Sequence, residues 1–169
     1  MNQLPDDASE ELTGIIKIIG MGQSLRGDDA AGLAAVRFWQ ERYPLNIKKP
    51  NLQVELVELP GLGLLSLLEG ISIAILVDAI HGNSKPGTIH VLSKDQLEAF
   101  TGGAGSAHGW GVAETLSLGE NLMPSSMPGK IILIGIEVGD LSLGESLSLQ
   151  VEQSLPEVAQ VIEELVNRV

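Results

Sequence analysis

The sequence predicts an α/β layer fold built on a mostly parallel sheet. Three features lead there: short β-branched runs recur along the chain, helical patterns separate most of them, and several runs are apolar throughout rather than alternating. A strand that is apolar on both faces has to be covered on both faces, as parallel strands are. The 169 residues are 44% hydrophobic, which suits one domain with a sizeable core. Only 3% are aromatic, so aliphatic side chains must do most of the packing.

Residues 1–13 are polar and acidic and read as a flexible leader, followed by a single α/β domain over 14–169. The leader has neither the basic region nor the apolar stretch of a signal peptide. "GIIKIIG" (14–20) is a short buried strand. "GMGQSLRGDDAAG" (20–32) turns from it into a helix expected over 28–45, with Leu33, Val36 and Trp39 on the apolar stripe and Asp28 or Asp29 where an N-cap belongs. "LQVELVEL" (52–59) alternates as a strand does, and "GLGLLSLLEG" (61–70) is a short helix. "ISIAILVDAI" (71–80) holds the strongest buried-strand signal, a strand over 72–77 that ends at the acid Asp78. After the turn "HGNSKPG" come the strand "TIHVLS" (88–93) and one or two helical turns in "KDQLEAF". The glycine-rich "TGGAGSA" (101–107) reads as a mobile connection into a helix over 108–122. "MPSSMPG" is a loop, and "KIILIGIEV" (130–138) is another buried strand. The closing segment is amphipathic, with Leu155, Val158, Ile162 and Leu165 on one face. Ser154 and Glu157 fit a capping box with Pro156 in the first turn; otherwise Pro156 kinks one longer helix.

Composition excludes several classes of function. Twenty-two acids against ten bases give a net charge of −12, and no basic stripe exists to displace counterions from a nucleic acid. The absence of cysteine removes disulfides, Cys-based zinc sites and thiol nucleophiles. No apolar stretch approaches the about 20 residues needed to span a bilayer. The expectation is a soluble, cytoplasmic protein with neither a nucleic-acid nor a membrane partner. Ser66, Ser106 and the other serines lack a G-x-S-x-G elbow. Gly20, Gly22 and Gly27 are spaced too widely for a dinucleotide fingerprint, and no G-K-S/T motif is present. Two acids at the start of the helix would repel a pyrophosphate from the N–H groups meant to bind it.

In open α/β sheets the ligand crevice lies beyond the carboxyl ends of the strands. Asp28 and Asp29 follow the first strand, Asp78 closes the run "AILV", and His108 opens a helix on the rim to which the loops return. Two carboxylates and an imidazole make an open shell for a divalent transition metal, with zinc, iron, cobalt and nickel all compatible. The same set could serve as acid and base without metal. Strand ends do not separate Asp28 from Asp29. Each residue also has a plainer reading: a helix cap for either member of the pair, a turn cap for Asp78 and an exposed loop residue for His108. His81 and His90 read as structural, and Glu137 as a polar contact at the end of the sheet.

Four stretches taken together resemble the hydrogenase maturation proteases, which trim the C-terminus of the [NiFe]-hydrogenase large subunit. "GMGQSLRGDDAAG" is similar to the family's G-x-G-N-x-L-x-x-D-D/E-x-x-G block, and "LVDAIHGNSKPGTIHVL" to its strand-D-A-I/V segment with a following P-G-T. "SAHGWGVAETL" resembles its S-x-H-x-x-G-L-A-E stretch, and "LIGIEVGDLSLGESLSLQVEQSLPEVAQVI" its closing strand and helix. The resemblance runs in order from about Gly14 to the C-terminus. It implies a three-layer α/β/α sandwich of phosphorylase/hydrolase-like topology and a metal-dependent endopeptidase. It assigns nickel binding to Asp29, Asp78 and His108, which would also form the catalytic site, and so leaves Asp28 as the expected helix cap. The nickel would arrive already loaded in the large-subunit precursor, with another divalent metal able to substitute in the isolated protein. A precursor- or metal-binding chaperone of the same fold would use the same ligands without cutting. Gln23 stands where the family has Asn, and "ELPGLGLLSLL" where an Asp-Gly-Gly-Thr-like stretch is common, with Glu58 replacing the Asp.

Overall fold

The computed structural model describes residues 14–101, 111–144 and 146–168. The expected leader, the glycine-rich connection after Thr101, and His108 lie outside the described residues. In chain order the elements are β1 (Ile16–Gly22), α1 (Ala31–Arg42), β2 (Leu52–Glu58), α2 (Gly63–Leu68), β3 (Ile73–Ile80), β4 (Ile89–Ser93), α3 (Lys94–Thr101), α4 (Val112–Leu122), β5 (Lys130–Glu137) and α5 (Leu149–Arg168).

The strands form one sheet in the order β2-β1-β3-β5-β4. Pairing is parallel between β1 and β2, β1 and β3, and β3 and β5, while the edge strand β4 runs antiparallel to β5. Successive residues of each central strand point to opposite faces and so serve two different cores. Ile18, Ile75 and Ile134 pack with Val36 and Trp39 of α1 and with Val158 and Ile162 of α5. Their neighbours Ile19, Leu76 and Leu133 pack with Leu64 of α2, Leu97 of α3 and Leu116 of α4. This double burial is why "AILV" is apolar without alternation, and it makes the molecule a three-layer α/β/α sandwich.

Two helix starts differ from expectation. Residues Gly27–Ala30 form a 3-10 turn with no side-chain cap, and the α-helix begins at Ala31 and ends at Arg42. Ser154 caps nothing, because α5 is one helix from Leu149; its hydroxyl donates back to the Val151 carbonyl at 2.7 Å. Pro156 sits inside that helix on its exposed side. The carbonyl of Glu152, which loses its partner there, belongs to an exposed residue that water can reach. Among the described residues no helix is long and apolar enough to cross a membrane.

Candidate functional site

The chain leaves β1 for β2 on one side and then returns to β3 on the other side, which makes the carboxyl ends of β1 and β3 the topological switch point. Close packing builds the crevice there. A Cβ on Gly32 would lie 2.3 Å from the Val77 carbonyl oxygen and 2.4 Å from that of Met21, so the first turn of α1 rests directly on both strand ends. A Cβ on Gly22 would lie 2.1 Å from the Asp29 carbonyl oxygen. The turn between them is closed by the Gln23 N–H donating to the Asp29 carbonyl at 3.2 Å and the Asp29 N–H donating to the Arg26 carbonyl at 3.1 Å. Glycines at 22 and 32 therefore let Asp29 sit against the sheet, where it is 7% exposed.

Asp78 follows the fully buried run of β3 and is itself partly buried. Its Oδ1 accepts from the Ala79 N–H at 2.9 Å. Burial pushes its carboxyl up to about 7; the Ala79 hydrogen bond opposes this, and the negative charge of Asp29 adds to it. The two acids are thus close enough to repel each other in a site poor in water. A pair of this kind is relieved by sharing a proton or by binding a cation, so the donor set fits a divalent ion. Among the described residues no three His, Cys, Asp or Glu side chains gather to hold a metal: Asp29 and Asp78 offer two, and His108 lies outside those residues.

Asp28 is not the helix cap that sequence reading made it. It is completely buried, and its carboxylate reaches across to the segment after β5. Oδ2 accepts from the Gly139 N–H at 3.1 Å, the Asp140 N–H at 3.0 Å and the Ser148 hydroxyl at 2.8 Å, while Oδ1 accepts from the Ser148 N–H at 2.6 Å. Burial alone would raise its pKa, but the bonds from Asp140, Ser148 and Gly139 together outweigh it and hold Asp28 below the ordinary carboxylate value. Sequence reading missed Gly139, Asp140 and Ser148. The available signal was a pair of adjacent acids at a helix start that needs no more than one cap.

The remaining candidates stay away from the acid pair. His81 is exposed in the turn after β3. His90 stands in register with Gly135, which stands in register with Asp78, so the imidazole is two strands away, roughly 10 Å. Its Nε2 faces the buried Glu137 carboxylate at 3.3 Å, and Glu137 also accepts from the Gly82 N–H. Glu137 is therefore the polar contact at the sheet end that was expected, and it ties down the β3–β4 turn. At the other side of the crevice the Ser24 hydroxyl donates to Glu58. Leu59, next in the chain, adopts a left-handed backbone with φ of 46°.

A family model described as hydrogenase maturation protease matches residues 45–165. HupD of Bradyrhizobium diazoefficiens, a hydrogenase expression/formation protein, is 30% identical over 127 residues, covering 75% of this chain and 64% of that protein. HupD of Rhizobium leguminosarum bv. viciae is likewise 30% identical, with 60% of its length covered. The chain thus spans under two-thirds of the length of these curated relatives. Among solved structures, the [NiFe] hydrogenase maturation protease HybD from Thermococcus kodakarensis superposes with a TM-score of 0.72 at 26% identity, over 90% of this chain and 99% of that one. The maturating endopeptidase HybD from E. coli shares the fold with a TM-score of 0.80 at 24% identity, over 91% and 93% of the two chains. Sequence model, relatives and three-layer architecture agree, and the chain belongs to the hydrogenase maturation protease family.

Proposed function

We propose that this chain is an endopeptidase that recognises nickel in a [NiFe]-hydrogenase large-subunit precursor and removes the precursor's C-terminal extension. The observation that carries the reading is the pair of buried Asp29 and partly buried Asp78 at the β1–β3 switch point, whose mutual repulsion a cation would relieve. Membership of the family supports the reaction class, and two of the solved relatives are described as a hydrogenase maturation protease and a maturating endopeptidase. Nickel enters as part of the substrate. Asp29 and Asp78 would hold it, with His108 as the third ligand, and a divalent ion so placed supplies Lewis-acid polarisation of a carbonyl. The chain's own contribution is positioning and proton handling. One of the two carboxylates would assist as the base that takes a proton from the attacking water.

The loops on this rim also carry exposed leucines. Leu25, Leu59, Leu62 and Leu143, in the loops after β1, β2 and β5, are 63%, 55%, 49% and 90% exposed, a surface suited to an extended polypeptide. The decisive experiment incubates the protein with nickel-loaded and nickel-free precursor and reads the precursor's mass. Loss of a C-terminal fragment from the loaded form alone is expected, and it should vanish in Asp29→Ala, Asp78→Ala and His108→Ala. Normal processing by all three variants would defeat the site assignment. Stable binding with no mass change would identify a non-cleaving chaperone instead.

A further inference from the structure

We infer that Asp28 is a positioning residue: its carboxylate fastens the segment after β5 to the turn after β1 and so holds the neighbouring Asp29 against Asp78. The inference rests on the reading of Asp29 and Asp78 as the metal-binding pair. Three sets of contacts carry it. The carboxylate takes four donors from Gly139, Asp140 and Ser148, all on the far side of the chain. The backbones of the same two segments are stitched together: the Asp28 N–H donates to the Asp140 carbonyl at 2.8 Å, the Gly27 N–H to the Gly144 carbonyl at 2.8 Å, and the Gly144 N–H to the Leu25 carbonyl at 3.1 Å. Gly27 has a φ of 54°, and a Cβ there would lie 2.7 Å from the Asp140 carbonyl oxygen, so the two segments touch backbone to backbone.

Asp29 is the next residue along. Its carbonyl is pinned by Gln23 and its N–H by Arg26, which leaves the 3-10 turn little freedom to swing. Such restraint is needed, because Asp29 and Asp78 repel and an unrestrained turn would relax by moving Asp29 out of the crevice. A simple N-cap would satisfy the helix and leave the turn unattached to the rest of the rim. The four-donor clamp attaches it to the end of β5, whose neighbour in the sheet is β3, the strand that carries Asp78.

Two variants of the full chain test this. Asp28→Asn puts an amide N–H₂ group where donors already converge, and Ser148→Ala removes one donor while keeping the Ser148 N–H. Circular dichroism establishes that each is folded. The first readout needs no metal: exchange of the Asp29 amide, measured against the Leu76 amide in β3. Asp28→Asn is expected to speed Asp29 exchange about tenfold or more, the loss expected when charge-assisted hydrogen bonds break, with Leu76 unchanged. The second readout is calorimetric titration with Ni²⁺ alone, where a fall in affinity of about tenfold is expected for Asp28→Asn and a smaller one for Ser148→Ala. If Asp28→Asn does not fold, Ser148→Ala carries the test. Unchanged Asp29 exchange in the folded variants overturns the inference. Faster exchange with wild-type nickel affinity also overturns it, since Asp28 would then hold the loops together without bearing on the site. If the wild-type chain takes up no Ni²⁺ while Asp29 exchange still responds, the positioning stands, and the metal reading of the pair is decided by the processing assay on nickel-loaded precursor, where normal cleavage by Asp29→Ala and Asp78→Ala would defeat it.

Discussion

Asp28 and Asp78 are carboxylates on the same rim whose surroundings shift them in opposite directions. Asp28 is held below the ordinary range, so its contribution to stability is present above the usual carboxylate pKa and is lost only as the pH falls below it. Asp78 is raised from 3.8 to about 7 by burial and by Asp29, so the folded state binds a proton there that the unfolded chain has already released. Stability is fully present below 3.8 and declines as the pH rises toward about 7. Thermal unfolding of the metal-free protein, followed between about pH 4 and pH 8, should show a falling midpoint that Asp78→Asn flattens. An unchanged slope in that variant would refute the assignment. Nickel uptake should strengthen over the same interval, because a ligand carboxylate must be ionised. That acids at 28, 29 and 78 gather near the carboxyl ends of β1 and β3 was legible in the sequence, because strand ends can be read locally; which member of the 28/29 pair faces Asp78 was not. The role of Asp28 was not, because the groups it binds lie 111 to 120 residues further on.

Among the elements, α1 and α5 set the geometry of the crevice from one face of the sheet. Gly32 is where α1 meets two strand-end carbonyls, and those are backbone atoms that cannot turn aside. Gly32→Ala should therefore lift the helix, costing about 1–3 kcal/mol in urea unfolding. Because Asp29 precedes the same helix by one turn, cleavage should fall further than the folded fraction does; an activity loss no larger than the unfolding would argue against this coupling. Ile162 is fully buried between α5 and the sheet, and Ile162→Ala should cost about 2–5 kcal/mol while leaving cleavage by the folded fraction intact. The stripe Leu155, Val158 and Ile162 was legible from its spacing, as was Leu33, Val36 and Trp39 on α1. Helix starts were less so. Ser154 and Glu157 carry a capping-box pattern, yet the helix runs through them because its buried face continues back to Val151. Tertiary burial overrode the local signal.

For the molecule as a whole, the pattern of apolar runs was enough to predict a covered, mostly parallel sheet, but not the order β2-β1-β3-β5-β4 or the reversed edge strand β4. Order depends on which side of β1 each crossover returns, and side-chain pattern does not record it. That order nevertheless decides function, since it places the crevice between β1 and β3 and gathers the loops after β1, β2 and β5 on one rim. Exposed leucines occur on both rims. Leu59 and Leu143 stand on the carboxyl-end rim, whereas Leu45 follows α1 and Leu122 ends α4, where the chain is about to re-enter the sheet from its amino end. If the precursor docks across the crevice, covering a leucine on the first rim contributes up to about 1.5–3 kcal/mol of binding, and one on the second contributes nothing. The double variant Leu59→Ser with Leu143→Ser should raise KM for the precursor about tenfold or more with kcat unchanged, the signature of lost uniform binding. Leu45→Ser with Leu122→Ser should leave both constants alone. Because all four side chains are exposed, neither pair should lower the unfolding midpoint. A KM insensitive to the first pair, or equally sensitive to both, would place the precursor elsewhere on the molecule.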